Sequence, residues 1–271
     1  MQNKVVVRTA AFALAAACVA AAGFTAGRAA FADEDRYLGI GTSTSYSETI
    51  NYDHKETVSA EIPYGLPYYS SNKYENECAP MAGTVLVGYY DRFCEDLVPG
   101  YDTYIQFGPR IIYYPMSTET DAVLASLYDL MDAENGGATY SGFNSGMTQY
   151  AASHGYTYSR SSVSLSNLSG AFETAIEAGK PVAVFLKGFS FITSSSDSGT
   201  KDVLTITEYD GNHVVVACGY KIDRYYDAAD NLIATRTYLT VVNGGEMSED
   251  VKYLCLDGRS NVSNSIAVTI S

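Results

Sequence analysis

The sequence predicts an α+β fold, in which helices come first and an antiparallel sheet follows. Apolar residues recur at helical spacing between about residues 79 and 179. Beyond Lys180 the pattern changes to short runs rich in valine, isoleucine, tyrosine and threonine, which are typical of strands. Because the two patterns occupy separate stretches, we expect a helical half and a sheet half with a seam between them.

The first 32 residues have the pattern of an export signal. Lys4 and Arg8 precede an alanine-rich apolar run that ends near Gly23, and Ala30-Phe31-Ala32 gives a small-x-small cleavage pattern. The run is short for a membrane-spanning helix, so an uncleaved anchor is the less favoured alternative. We therefore predict a signal peptide over residues 1–32, a secreted or cell-surface location, and no membrane contact after cleavage.

The chain is acidic, with 31 Asp and Glu against 17 Lys and Arg and a formal net charge of −14. Removing residues 1–32 takes away basic side chains only, so the mature chain is more acidic still. This charge disfavours nucleic acid and anionic lipid as partners. The polar stretch 33–60 predicts an N-terminal extension, which places the folded domain at residues 61–271. The oligomeric state stays open.

Four helices are predicted in the first half of this domain. The first opens immediately after Cys78, and Pro80 suits its first turn because the missing N–H has no partner there in any case. Gly136, Gly137 and Gly179 end the second and fourth helices. The predicted helices are Ala79 to Cys94, about Thr118 to Glu134, about Asn144 to His154, and Ser166 to Gly179.

Six strands are predicted after Lys180. We expect a turn at residues 210–212 and a serine-rich loop over residues 193–200 between them. The predicted strands are Pro181 to Leu186, Leu204 to Glu208, His213 to Tyr220, Thr237 to Val242, Val251 to Leu256, and Ile266 to Ile270.

Four cysteines follow the leader, and an even number in an exported protein permits two disulfides. A continuous helix would hold Cys78 and Cys94 about 24 Å apart, beyond the roughly 7 Å limit for a disulfide. We expect any disulfide to join two of Cys94, Cys218 and Cys255. Cys78 then remains the odd thiol, as a nucleophile requires.

Cys78 stands where a helix begins, and this position suits a nucleophile. The free N–H groups and the dipole of the first turn favour thiolate over thiol. A buried structural cysteine is the alternative.

Elimination among the three histidines leaves His213 as the candidate base. His54 lies in the polar extension, and His154 stands at a helix end, where it can meet the last carbonyls. His213 opens an apolar strand that would hold its ring at the sheet edge. Asn243 ends the next strand and is the candidate that orients the imidazole, with Asp250 in reserve. A structural histidine and an ordinary Asn-Gly turn are the alternatives.

Three blocks of the chain carry a resemblance to a known family. They are residues 76–83 around Cys78, residues 175–184, and residues 212–220 beginning at Asn212-His213. In this order, and followed by Asn243, they resemble the successive blocks of papain-like cysteine peptidases. The nearest group is the stand-alone bacterial relatives of the bacteriocin-processing, double-glycine peptidases.

The resemblance implies a helical half with the nucleophile Cys78, a sheet half with His213 and Asn243, and a substrate cleft between them. It implies Asn72 in the oxyanion hole, where the family usually has glutamine, and the Cys78 backbone N–H as second donor. Ala79 is another departure, because the family commonly has glycine there. Neither change removes a reacting group.

The implied activity is hydrolysis of protein or peptide substrates through a Cys-His-Asn triad, without metal or cofactor. Two alternatives share the fold. One is a transglutaminase-like acyl transferase, and the other is a non-catalytic surface or adhesion module, suggested by Asn72 and by 24 tyrosines without tryptophan. Asp227, Asp230 and Asn231 are candidate calcium ligands, although a solvated hairpin turn is the preferred interpretation.

Overall fold

The computed structural model describes residues 35–166, 168–242, 244 and 252–271. They form a mixed structure of helices and a mainly antiparallel sheet, which confirms the α+β prediction. The helices are α1 (Cys78–Tyr90), α2 (Thr118–Leu130), α3 (Tyr140–Ser153) and α4 (Glu173–Glu177), with a 3₁₀ turn at Ala133–Asn135 and a π-helical turn at Leu168–Phe172. The strands are β1 (Arg36–Tyr37), β2 (Ser43–Asn51), β3 (His54–Glu61), β4 (Tyr104–Phe107), β5 (Arg110–Tyr113), β6 (Ala138–Thr139), β7 (Tyr158–Ser162), β8 (Val182–Asp197), β9 (Lys201–Tyr226), β10 (Leu232–Val242), β11 (Lys252–Cys255) and β12 (Val262–Ile270).

Helix α1 lies at the centre of the helical part. All of its residues are buried, and it contacts α2 and α3 as well as strands β9 and β12. Such a helix is apolar on every side, because each face meets protein rather than water. Helix α2 is amphipathic and begins at Ser117, whose side chain accepts the backbone N–H groups of Glu119 and Thr120. The N-terminus of α1 is therefore held firmly against the sheet.

Strand β9 organises the sheet. It is 26 residues long, and it pairs with β8 and β3 on one edge and with β2 and β10 on the other. Pairing of β8 with β11 and of β11 with β10 closes these strands into a ring. On the second edge, β2 pairs as far as Tyr209 and β10 pairs from Val216. His213 lies between these two partner strands, where other parts of the chain approach β9.

Two apolar clusters stabilise the fold. The larger one joins α1, α2 and α3 to the inner face of the sheet. The smaller one fills the far end of the strand ring and includes Ile50, Tyr225 and Tyr238. Lys55 pairs there with Asp197 and Asp202, so the charges near this second cluster are compensated.

The prediction that residues 33–60 form an extension outside the folded domain is wrong for the described part. Strands β1, β2 and β3 lie within this stretch, and β2 and β3 pair with β9 over nearly their whole length. Their side chains are mostly exposed. A polar sequence is therefore compatible with strands here, because the backbone pairs while the side chains face water. Among the described residues, the folded unit therefore includes those from residue 35 onward rather than beginning at residue 61.

Two other local predictions differ from the structure. The predicted serine-rich loop is in strand as far as Asp197, and only residues 198–200 turn. Residues 210–212, predicted as a turn, lie inside β9. Over residues 193–197 the antiparallel pairing of β8 with β9 overrides the local preference for a loop. At residues 210–211 the ladder has a β-bulge, and the strand resumes with the pair Lys187–Asn212. Among the described residues, no helix is both long and apolar enough to span a bilayer.

Candidate functional site

Cys78 is the first residue of α1, as the sequence predicts. The residue before it, Glu77, makes no side-chain hydrogen bond that caps the helix. Pro80 has no N–H, and the first amide to join the helical ladder is that of Met81, which bonds to the Glu77 carbonyl. The amides of Cys78 and Ala79 therefore remain directed at the space around the Cys78 sulfur.

His213 reaches the same place from the sheet. Its side chain is buried, with 2% exposure, in the interval of β9 between the partners β2 and β10. The imidazole stacks on Phe189, with ring centroids 5.3 Å apart and an interplanar angle of 23°. Phe189 in turn stacks on Tyr209 at 5.1 Å. Because both supporting rings belong to paired strands, the plane of the imidazole is held by the sheet.

One cleft of about 360 Å³ brings the two residues together. Helix α1 supplies its N-terminus and β9 supplies His213. The backbone N–H of Val214, the residue after His213, is directed at the Cys78 sulfur. The cleft is lined by Leu38, Gly39, Ile40, Ser71, Asn72, Tyr74, Asn76, Glu77, Cys78, His213 and Gly244.

The surroundings of the Cys78 side chain disfavour its charged form. Burial raises its pKa to about 12, and the N–H groups of Val214, Ala79 and Cys78 oppose this rise without overcoming it. The thiol donates to the Tyr37 carbonyl at 3.5 Å. Burial therefore opposes the thiolate that the helix terminus is predicted to favour, and that preference stays a prediction.

The other predicted members of the site divide into two groups. Asn72 lines the cleft with Cys78 and is exposed. Asn243 and Asp250 lie outside the described residues. The positions on either side of Asn243 are described: Val242 pairs with Val216 of β9, and Gly244 lines the cleft. A side chain added to Gly244 would come within 2.6 Å of Met81 Cγ, so the chain leaving β10 runs against the first turn of α1.

The two remaining histidines are placed differently. His154 donates from Nδ1 to the Tyr150 carbonyl, 2.8 Å away, at the end of α3. This confirms the helix-end interpretation. His54 lies in β3, stacks on Tyr226 and is 3.5 Å from Asp53. Neither histidine lines the cleft that contains Cys78.

All four described cysteines are free and buried, so Cys94, Cys218 and Cys255 form no disulfide in this structure. Within the described part of the chain, no group of three or more His, Cys, Asp or Glu side chains is arranged to hold a metal ion. Asp227 instead accepts hydrogen bonds from the amides of Ala229 and Asn231 in the hairpin turn.

Sequence reasoning missed two parts of the site. Residues 38–40 were predicted to lie in the extension, yet they line the cleft. Phe189 was not singled out, yet it supports the His213 ring. The alternation Leu38-Gly39-Ile40-Gly41 was a signal of close backbone approach, but its target, β9, is remote in sequence.

Comparisons with family models, with curated proteins and with solved structures found no match to this chain.

Proposed function

We propose that the chain is an exported cysteine peptidase of papain-like arrangement, which hydrolyses peptide bonds in protein or peptide substrates. One observation carries the proposal. Cys78, at the N-terminus of the central helix, lines one cleft together with His213 of β9. Among the described residues, His213 is the only histidine that lines this cleft. Cysteine and imidazole on two different elements of the fold are the minimum machinery for acyl transfer to sulfur.

The reaction begins with transfer of the Cys78 proton to His213. The sulfur then attacks the substrate carbonyl carbon, and the carbonyl oxygen becomes an oxyanion. The N–H groups of Cys78 and Ala79 act on the sulfur, and we propose them as donors to that oxyanion. The Asn72 side chain at the cleft rim is a further donor of suitable chemistry.

The protonated His213 next gives its proton to the amine of the leaving peptide, so the carbon–nitrogen bond breaks and a thioester remains on Cys78. Water, deprotonated by His213, releases the acid product and restores the thiol. Asn243 is proposed to orient the imidazole through its side-chain amide. Phe189 limits rotation of the same ring. No step of this sequence requires a cofactor.

The proposal of export depends on the pattern of residues 1–32. The proposal of peptide substrates depends on the resemblance carried by three blocks, which are the block around Cys78, residues 175–184 and the block that begins at Asn212-His213. An acidic chain with few basic side chains is soluble outside the cell and does not attract nucleic acid. We therefore expect extracellular protein or peptide as the substrate class.

A non-catalytic module with the same fold is the second candidate, and the observation that favours it is the cover over Cys78, which is 7% exposed and donates to the Tyr37 carbonyl. Burial in the larger core raises the pKa of Cys218 to the same value of about 12. A resting thiol of this kind is inert until its neighbour removes the proton.

Alkylation by a small thiol-directed electrophile separates the two candidates. We expect Cys78 to react faster at neutral pH than Cys94, Cys218 or Cys255, and we expect His213→Ala to slow that reaction by about 10²-fold or more. His154→Ala is the matched control, since it removes a histidine outside the cleft and should leave the rate unchanged. Peptide mapping by mass spectrometry assigns the modified thiol.

The peptidase proposal fails if Cys78 reacts no faster than the core thiols and His213→Ala has no effect.

If Cys78 is reactive, analysis of the products made from a peptide substrate distinguishes hydrolysis from acyl transfer. Cleaved peptide supports the peptidase, whereas cross-linked peptide supports the transglutaminase-like alternative.

A further inference from the structure

Residues 35–42, here called the strap, lie across the candidate cleft. Leu38, Gly39 and Ile40 line it together with Cys78 and His213. The carbonyl of Tyr37 accepts the hydrogen bond of the Cys78 thiol. The strap therefore covers the sulfur, and it is part of the reason why Cys78 is only 7% exposed.

The first part of the strap is anchored by packing. Tyr37 is 1% exposed, its ring packs edge-on against Phe185 at 5.2 Å, and its hydroxyl hydrogen-bonds to Ser263 at 2.8 Å. Strand β1 pairs with β6 at the same point. Removing this anchor would cost several kcal/mol of buried aromatic packing, so Tyr37 is a fixed end.

The second part is held by a few polar contacts. The Gly39 N–H donates to the carbonyl of Asn212 at 2.8 Å, and the Thr42 hydroxyl donates to Asp210 at 2.6 Å. Leu38 and Ile40 keep 54% and 36% of their surfaces exposed. Since hydrogen bonds at an exposed site contribute little net free energy, the stretch 38–42 can lift while β1 and β2 stay paired.

Gly41 makes the close approach of the strap to β9 possible. A side chain at this position would place its Cβ 2.2 Å from an oxygen of Asp210 and 2.8 Å from the Gly211 nitrogen. Both Asp210 and Gly211 precede His213 in β9. The strap therefore fits only because this residue has no side chain.

We propose that the strap is an internal occupant of the cleft, and that a peptide substrate reaches Cys78 only when residues 38–42 lift away from β9. This rests on the proposed function. The strap uses the Asn212 carbonyl and the Cys78 thiol, which are the groups that an extended peptide entering the cleft would meet.

The test compares alkylation of Cys78 in the full chain and in Gly41→Ala. The added methyl group clashes with β9, so we expect alkylation of Cys78 to accelerate by roughly tenfold or more. Ser43→Ala is the matched control: the residue begins β2, its side chain is exposed, and the substitution should leave the rate unchanged.

Thr42→Ala is a second route to the same opening, for use if Gly41→Ala does not fold. Loss of the bond to Asp210 should accelerate alkylation by about threefold to tenfold. Thermal unfolding of each variant shows whether the fold persists. If the folded variants react with Cys78 at the wild-type rate, the strap does not control access and the proposal is overturned.

The failure of this proposal is separable from failure of the peptidase proposal. Each strap variant is also combined with His213→Ala. Faster alkylation that does not depend on His213 supports the strap and contradicts the peptidase. Dependence on His213 without any acceleration by the strap variants supports the peptidase and contradicts the strap.

Discussion

Cys78 and Cys218 are buried to a similar degree, and their thiols make the same kind of hydrogen bond. They are 7% and 3% exposed, and each thiol donates to a backbone carbonyl at 3.5 Å, that of Tyr37 or that of Thr240. Burial raises the pKa of both to about 12. The protonation of a resting thiol therefore does not distinguish a candidate nucleophile from a core residue.

The two thiols differ in what covers them and in what stands beside them. The cover of Cys78 is the strap, which crosses an open cleft, and the neighbour across that cleft is His213. The cover of Cys218 is Thr240, a residue of β10 that is paired with β9. Lifting the strap breaks a few exposed hydrogen bonds, whereas exposing Cys218 requires opening the sheet. Reactivity therefore depends on a removable cover and a proton acceptor.

The largest expected difference between the two cysteines is in peptide hydrolysis. We expect Cys78→Ala to lower the rate by about 10⁴-fold or more, because it removes the attacking atom. Cys218→Ala should retain close to wild-type activity. The measurement is cleavage of a fluorescent unfolded protein, in the wild-type background and with Gly41→Ala. Equal loss of activity in Cys78→Ala and Cys218→Ala would mean that both substitutions act through folding. The comparison of the two thiols would then fail.

A smaller effect is expected from the aromatic support of His213. Phe189→Leu removes the ring on which the imidazole stacks, so we expect the alkylation of Cys78 to slow by roughly tenfold and its pH profile to shift. Phe191→Leu is matched to it, since Phe191 is equally buried and lies 5.2 Å from Phe189. Each substitution should cost about 1–2 kcal/mol of stability. If Phe189→Leu and Phe191→Leu slow the alkylation of Cys78 equally, Phe189 contributes packing only and does not orient His213.

The smallest expected effect is on the pH dependence of the unfolding free energy, and it should be the same for both thiols. The pKa of each rises from 9.0 to about 12 on folding. Because the pKa of each thiol is higher in the folded protein than in the unfolded chain, each buried thiol contributes its full stabilisation of the fold below pH 9.0. This contribution is lost as the pH rises toward 12. We expect the unfolding free energy of either alanine variant to fall less steeply above pH 9.0 than that of the wild type, by about 1.4 kcal/mol per pH unit.

Chemical denaturation at a series of alkaline pH values measures these slopes. The buried tyrosines contribute equally to wild type and variants, so the difference isolates one thiol. Equal slopes for Cys78→Ala and Cys218→Ala support the comparison. A shallower effect for Cys78 would show that water reaches this thiol in the resting state.

Local patterns predicted the elements that carry the candidate residues. The helix beginning at Cys78 follows from Pro80 and from apolar spacing, and the strand of His213 follows from a run of valines. The boundaries were less accurate. Residues 210–212 have turn-forming side chains, yet pairing with β8 and contacts from the strap keep them extended. The turn-forming preference is absorbed as a β-bulge, because the ladders on both sides of these residues keep the chain in the sheet.

The sequence by itself determined the α+β class, the helix that starts at Cys78 and the choice of His213 among three histidines, because these depend on spacing within short stretches. The tertiary structure decided that β2 and β3 join the sheet of β9 and that the strap covers the sulfur. It also decided the burial of Cys78, which raises the pKa of its thiol. These outcomes depend on contacts such as Cys78 with Tyr37 and Asn212 with Arg36, whose partners are 41 and 176 positions apart. Burial and its effect on a pKa arise only when such distant segments meet.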